Sequence, residues 1–125
     1  MKLSLHSSRS SKGKAAEAIA CDHLENNGLQ LIDKNFNSRY GEIDLIMRHK
    51  DSLVFIEVRY RKNLDYGGAI ASVTPTKQQK IIKTALYYMQ KQGREFNARF
   101  DVVAITGAMG APNQQLSIEW IQNAF

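Results

Sequence analysis

The sequence has little that would cross-link it or fix it in a membrane. Its one cysteine, Cys21, has no second thiol in the chain, so an internal disulfide is excluded and a reducing compartment is expected. No apolar run reaches the roughly 18 residues of a membrane span. The opening segment MKLSLHSSRSSKGK lacks the apolar stretch of a signal peptide. A cytoplasmic protein with no membrane partner is therefore expected. No repeat or low-complexity segment appears beyond the short basic, Ser-rich start. Residues 1–10 are expected to form a flexible basic arm on a single domain spanning 1–125. His6, His23 and His49 do not fall at metal-ligand spacing. Neither a Gly-rich phosphate loop nor a Ser/His/Asp order is present.

What is present suits one folded unit. Hydrophobic residues make up 43%, enough for a single core, and charged residues 23%, too few for a disordered chain. The net charge of +5 and pI of about 9.4 are compatible with a nucleic acid, with an anionic membrane surface, or with no polyanion at all.

The order of elements is legible from periodicity. Ser10 or Ser11 caps a helix running to about Asn27, with Gly28 as its stop and Ala16, Ile19, Ala20 and Leu24 as its apolar stripe. LQLIDKNF, YGEIDLIMR and SLVFIEVRY read as three strands, the last two joined by a polar hairpin turn at 49–52. TPTKQQKIIKTALYYMQKQG reads as a second helix, with Thr74 as N-cap, Pro75 at the first helical position and Gly93 after the last turn. Ile82, Ala85, Leu86 and Met89 are expected to form its buried face. RFDVVAIT and QLSIEWI read as a fourth and a fifth strand. The expected fold is α/β, a mixed β-sheet flanked by helices in the order αβββαβ(β). The first three strands make an antiparallel meander, and the third and fourth are parallel across the second helix.

Four carboxylates lie between Gly41 and Arg61, two of them, Asp44 and Glu57, deep among apolar residues. Carboxylates are costly to bury and uncommon inside strands. By alternation, Glu42, Asp44 and Ile46 share one face of the second strand, and Ile43, Leu45 and Met47 the other. On the third strand Leu53, Phe55, Glu57 and Arg59 share a face. A turn centred between Lys50 and Asp51 sets Asp44 opposite Glu57, and Glu42 opposite Arg59. The latter is a cross-strand ion pair. The former puts two like charges with Cβ atoms roughly 4.5–5.5 Å apart, which is destabilising. A proton on one carboxyl, or a cation between the two, would relieve it. A solvated face, or a register one residue off, would remove the problem instead. Two converging carboxylates suit magnesium or manganese.

The second helix carries Gln78 at the N-terminal end of its expected buried face. Its amide either orients a water or phosphate near the carboxylates or bonds a neighbouring backbone group. Lys77, Lys80 and Lys83, with Lys12, Lys14, Arg59, Arg61 and Lys62, form a set able to track a phosphate backbone or simply a solvated surface. Tyr66, beside Gly67 and Gly68, either stacks on a base or pins its loop.

The segments GEIDLI, VFIEVRYR, GGAIASVTPTKQQKI and RFDVVAI resemble the YraN family of small bacterial proteins, over nearly the whole chain. That family is similar to the restriction-endonuclease-like PD-(D/E)XK nucleases, close to Holliday junction resolvases. The resemblance implies a restriction-endonuclease-like fold and metal-assisted phosphodiester hydrolysis with Mg²⁺ or Mn²⁺ as cofactor. It implies Asp44, Glu57 and the backbone carbonyl of Val58 as metal ligands, with Glu17 as a further candidate. Gln78 or Gln79 would match a polar position on the second helix, and Arg59 takes the place of the E-x-K lysine. Nucleic acid is the implied partner, DNA ahead of RNA, and a homodimer is the assembly such nucleases commonly adopt. Arginine stays protonated at working pH and so is no general base. It can still stabilise charge on a phosphate. Lys77 or Lys80 would substitute if either reaches the site. Three functions follow as alternatives: a structure-selective nuclease, a nucleic-acid-binding module without catalysis, and a protein-interaction adaptor on the same fold.

Overall fold

Small apolar residues recur every three to four positions from Ser11 to Glu25, and this segment is the first helix, α1, in the computed structural model. The structure describes residues 11–63, 68–93, 97–110 and 115–125. The expected arm at 1–10 and Tyr66 lie outside them. Gly28 ends the turn after α1 with φ +94°, a conformation that a side chain resists. There follow β1 (Gln30–Ser38), β2 (Gly41–His49), β3 (Ser52–Arg61), α2 (Pro75–Gln92), β4 (Asn97–Thr106) and β5 (Ser117–Ile121). A short 3-10 turn, Ile70–Ser72, precedes α2. One five-stranded sheet runs in the order β1-β2-β3-β4-β5. Among the described residues β3 and β4 pair in parallel across α2, and β1–β2, β2–β3 and β4–β5 pair antiparallel. The expected α/β class, with its mixed sheet and element order, is the observed one.

The β2–β3 hairpin has the expected register, His49 opposite Ser52 through Leu45 opposite Ile56. Lys50 turns the corner with φ +58°. The two faces of the sheet carry separate clusters. Under α1, Ala16, Ala20, Cys21 and Leu24 pack on Leu45, Met47, Val54 and Ile56. Under α2, Ile81, Ala85 and Tyr88 pack on Ile43, Ile46, Leu53 and Phe55. Each fully buried Leu or Ile side chain contributes roughly 1.5–3 kcal/mol. Cys21 is buried, and its thiol is pushed above its ordinary value, by burial first and the charge of Glu25 next. No helix among the described residues is long and apolar enough to cross a membrane.

Two expectations need correction. The first concerns α2, which buries Ile81, Thr84, Ala85 and Tyr88, while Leu86 is 53% exposed. The helix is rotated by one position from the stripe that its most apolar residues suggest. Thr84 tolerates burial because its hydroxyl donates to the Lys80 carbonyl at 2.8 Å and lies 3.3 Å from Ser38 Oγ. The capping is as expected: Thr74 accepts from the Lys77 amide, Pro75 follows it, and Gly93 closes the helix at φ +73°.

The second concerns β2. Alternation sets Ile43 with Leu45 and Met47, but Ile43 packs with Ile46 on the α2 side while Leu45 and Met47 pack on the α1 side. The pleat therefore slips between Ile43 and Ile46, around Asp44. The ladder to β3 ends at Leu45, just before this slip. On the other side, the pairing of β1 with β2 skips Asn35 and Asp44, and Asn35 has φ +54°.

Candidate active site

The first turns of both helices converge on the open end of the β2–β3 hairpin. They enclose a hollow of about 710 Å³. Gly13, Ala16 and Glu17 line it from α1, Gly41, Glu42 and Asp44 from β2, Glu57 to Tyr60 from β3, and Lys77, Lys80 and Ile81 from α2. Gly41 opens β2 with φ +150°, a conformation that a side chain resists, and it faces Lys80 and Thr84 of α2. The rotation of α2 then decides which polar residues face inward. Positions 77, 80, 81 and 84 share one face, so Lys77 and Lys80 point where Ile81 does.

Asp44 occupies the pleat slip and uses it. Its Oδ2 accepts from the Val58 amide at 2.8 Å. In a continuing ladder that amide would bond the backbone of Ile43, two positions beyond the Leu45–Ile56 pair. The carboxylate has replaced a backbone carbonyl. The Val58 carbonyl leaves the strand on the same edge as its amide, toward β2 and Asp44.

Glu57 is buried, 8% exposed. Its carboxyl is pushed up to about 8, by burial first, then by the negative charge of Asp44, helped by a hydrogen bond between the two carboxyls. Arg59 opposes the shift. At neutral pH burial and the neighbouring Asp44 therefore favour the protonated form of Glu57. Arg59, expected opposite Glu42, bonds Glu57 on its own strand, Nη2 to Oε2 at 2.7 Å. Its Nε is buried and has no hydrogen-bond partner among the described residues. Lys77 has its pKa lowered, by the charge of Arg59 first and burial second, with Glu57 acting the other way. The cations thus crowd each other around a partly neutralised acid pair.

The structure brings Glu17, Asp44, Glu57, Val58, Arg59, Lys77 and Lys80 to one hollow. It leaves Gln78 out of the lining: the side-chain amide donates to the Val73 carbonyl at 3.1 Å, the backbone alternative foreseen for it. Lys12 and Lys14 are exposed on α1, and Lys14 borders a smaller neighbouring recess with Glu17 and Lys34. Arg61 and Lys62 are exposed at the end of β3, with Arg61 Nη1 on the Tyr60 carbonyl. Sequence reasoning missed Tyr60, whose hydroxyl donates to the Gly107 carbonyl and ties the hollow's wall to the end of β4. It also missed Gly13 and Gly41; a glycine opening the second strand was the available signal for the latter. No three His, Cys, Asp or Glu side chains form a ready metal cluster among the described residues.

The model of the Uncharacterised protein family UPF0102 matches residues 16–105 of the chain, a span that holds Glu17, both acid-bearing strands and α2. A UPF0102 protein of Stutzerimonas stutzeri is 49% identical over 117 residues, covering 92% of this chain and 94% of its own. One of Nitrosococcus oceani is 49% identical over 116 residues, covering 91% and 90%. One of Psychromonas ingrahamii is 50% identical over 115 residues, covering 92% and 89%.

Proposed function

This chain belongs to the UPF0102 family, and we propose that its acidic hollow hydrolyses phosphodiester bonds in nucleic acid with a divalent cation. The observation that carries the reading is that Asp44, held by the Val58 amide, and the buried Glu57 line one hollow with three cationic side chains. Two neighbouring carboxyls mark a place where a dication is well matched. Two carboxylates and a backbone carbonyl fit Mg²⁺ or Mn²⁺, which keep several positions for water and substrate phosphate. Glu17 lines the same hollow from α1.

Asp44 and Glu57 would hold the cation, with the Val58 carbonyl completing the set. Asp44 is already oriented by the Val58 amide, so little reorganisation is needed. The bound cation supplies charge neutralisation at the phosphate and acidifies a water. Arg59, Lys77 and Lys80 attract the phosphate and offset charge that develops on it. Lys77 is also the residue placed to do what Arg59 does not, since an ammonium with a lowered pKa exchanges its proton more readily than a guanidinium.

The resemblance makes branched DNA the first substrate to try. Branched DNA incubated with Mg²⁺ or Mn²⁺ is expected to be cut, with single-stranded and duplex DNA run beside it to read the selectivity. Asp44→Ala and Glu57→Ala are each expected to slow cutting on the order of 100-fold or more. Cutting that persists in both variants overturns the reading.

A second reading has its own observation. The 2.7 Å contact of Arg59 with Glu57 ties up one of the two proposed ligands. A chain held in that state binds nucleic acid and does not cut it. Steep salt dependence of binding, no cleavage with either metal, and cleavage gained in Arg59→Lys are the results that would establish it. Under the hydrolytic reading the wild type already cuts and Arg59→Lys is expected to change its rate only.

A further inference from the structure

The rotation of α2 that buries Ile81, Thr84, Ala85 and Tyr88 leaves apolar and aromatic groups on its outer face. Leu86 is 53% exposed and Tyr87 36%. Beside them the β1–β2 turn presents Tyr40. The two tyrosine rings stand 6.3 Å apart at 66°, edge to face. With Lys83, Leu86 and Gln90 they line a shallow recess of about 290 Å³. Phe36 supports it from within, its ring 6.2 Å from Tyr87 and 5.0 Å from the buried Tyr88. The tyrosines are thus backed by the core. Cations rim them. The Arg39 guanidinium lies 5.0 Å above the Tyr40 ring with Nη2 on its hydroxyl at 2.9 Å, and Lys91 Nζ lies 5.4 Å from the Tyr87 ring. No carboxylate is among the residues lining the recess.

We propose that Tyr40 and Tyr87 form a stacking shelf for unpaired bases of a nucleic-acid strand that continues into the acidic hollow. The proposal rests on the reading of that hollow as a nucleic-acid site and specifies the form of nucleic acid, single-stranded on this side. Continuity favours it. Gly41 lines the hollow and the adjacent Tyr40 lines the shelf; Lys80 lines the first and Lys83 the second. From Lys80 to Tyr87 the helix rises roughly 10 Å, about the length of three stacked nucleotides. A paired duplex offers base edges and phosphates, not ring faces, so it gains nothing from the tyrosines. A second copy of the chain fits poorly. A two-fold interface here would bring the Arg39, Lys83 and Lys91 cations of both copies into one patch.

Binding of fluorescent dT20 and of a 20-base-pair duplex is to be measured by anisotropy in EDTA at low salt, so that cleavage plays no part. Tyr40→Ala with Tyr87→Ala is expected to weaken dT20 about 10-fold or more, the order for one lost stacked base, and the duplex less than about twofold. Tyr40→Phe with Tyr87→Phe keeps both rings and is expected to bind dT20 as the wild type does. Crosslinking of a 5-iododeoxyuridine oligomer to the wild-type chain, mapped by mass spectrometry, tests the site without any substitution; adducts are expected on Tyr40 or Tyr87. The shelf is overturned by equal losses for dT20 and duplex, by no loss, by adducts confined to other residues, or by a wild type that binds neither probe. It is also overturned by a dimer that Leu86→Lys dissolves while dT20 binding stays unchanged. Shelf-dependent binding without any Asp44-dependent cleavage would sink the proposed hydrolysis and leave the shelf standing. Asp44-dependent cleavage with shelf-independent binding would do the reverse.

Discussion

Asp101→Ala is expected to lower stability by about 3–5 kcal/mol, the usual cost of removing one partner from a buried charge pair. Asp101 is fully buried in β4. Its Oδ1 accepts from Arg99 Nε at 2.9 Å and from the Asn123 amide at 2.8 Å; its Oδ2 accepts from Arg99 Nη2 at 3.0 Å and Trp120 Nε1 at 2.9 Å. One carboxylate thereby joins β4, β5 and the C-terminal tail. Alanine leaves the indole N–H and a backbone N–H without their acceptor and the guanidinium with only its His49 contact, and each unsatisfied buried donor costs about 1–3 kcal/mol. Asp101→Asn keeps one acceptor oxygen and is expected to fall between alanine and wild type. Urea unfolding at pH 7 gives the difference, through a shifted midpoint at unchanged slope. A loss below about 1 kcal/mol would mean that the network is not the fastening it resembles. Asp101 does not line the hollow, so the variant that remains folded is expected to keep the wild-type response of the acid pair to metal.

The contrast between Asp101 and Asp44 shows what the sequence reveals and what it conceals. Asp44 and Glu57 stand out because each interrupts an apolar strand, and because a two-residue turn fixes which residues oppose each other. The turn at Lys50 is local, so the register is legible. Asp101 also interrupts an apolar strand, yet its meaning depends on Trp120 and Asn123, whose arrival beside β4 no local pattern predicts. The face of α2 was hidden for a related reason. Thr84 is buried through a bond to its own helix and a contact to Ser38, so a polar residue belongs to the buried face, which the most apolar positions do not mark. Leu86, the more apolar residue, is outside. The pleat slip at Asp44 escapes alternation because alternation assumes that the ladder continues. A side chain that takes the next amide stops it, and the acid that marks the site is thereby the cause of the irregularity.

Glu57→Gln is expected to abolish a pH dependence that the wild type carries. In the folded chain the carboxyl titrates near 8, against an ordinary value of 4.5. Between these values the folded state keeps a proton that the unfolded state has released. Stability therefore falls as pH rises through that window, and the loss is complete above about pH 8, where the folded state must hold both charges. The size is on the order of a few kcal/mol, shared with Asp44. Glutamine keeps the shape, can still donate to Asp44 and has no proton to lose. Its unfolding midpoint is expected to stay flat in this window and to exceed that of the wild type at pH 9. A dication held by the pair would act against the same penalty. Mn²⁺ or Mg²⁺ is then expected to raise the melting temperature of the wild type most at pH 8–9, where no proton competes for the oxygens. At about 100 times the dissociation constant the gain is about 2.7 kcal/mol. Glu57→Gln, which lacks both the penalty and a ligand charge, is expected to respond far less. Thermal melts of the two proteins across pH, with and without metal, read all of this without any substrate. Equal stabilisation of both by metal would place the cation elsewhere, and would leave the raised carboxyl of Glu57 as a proton site alone.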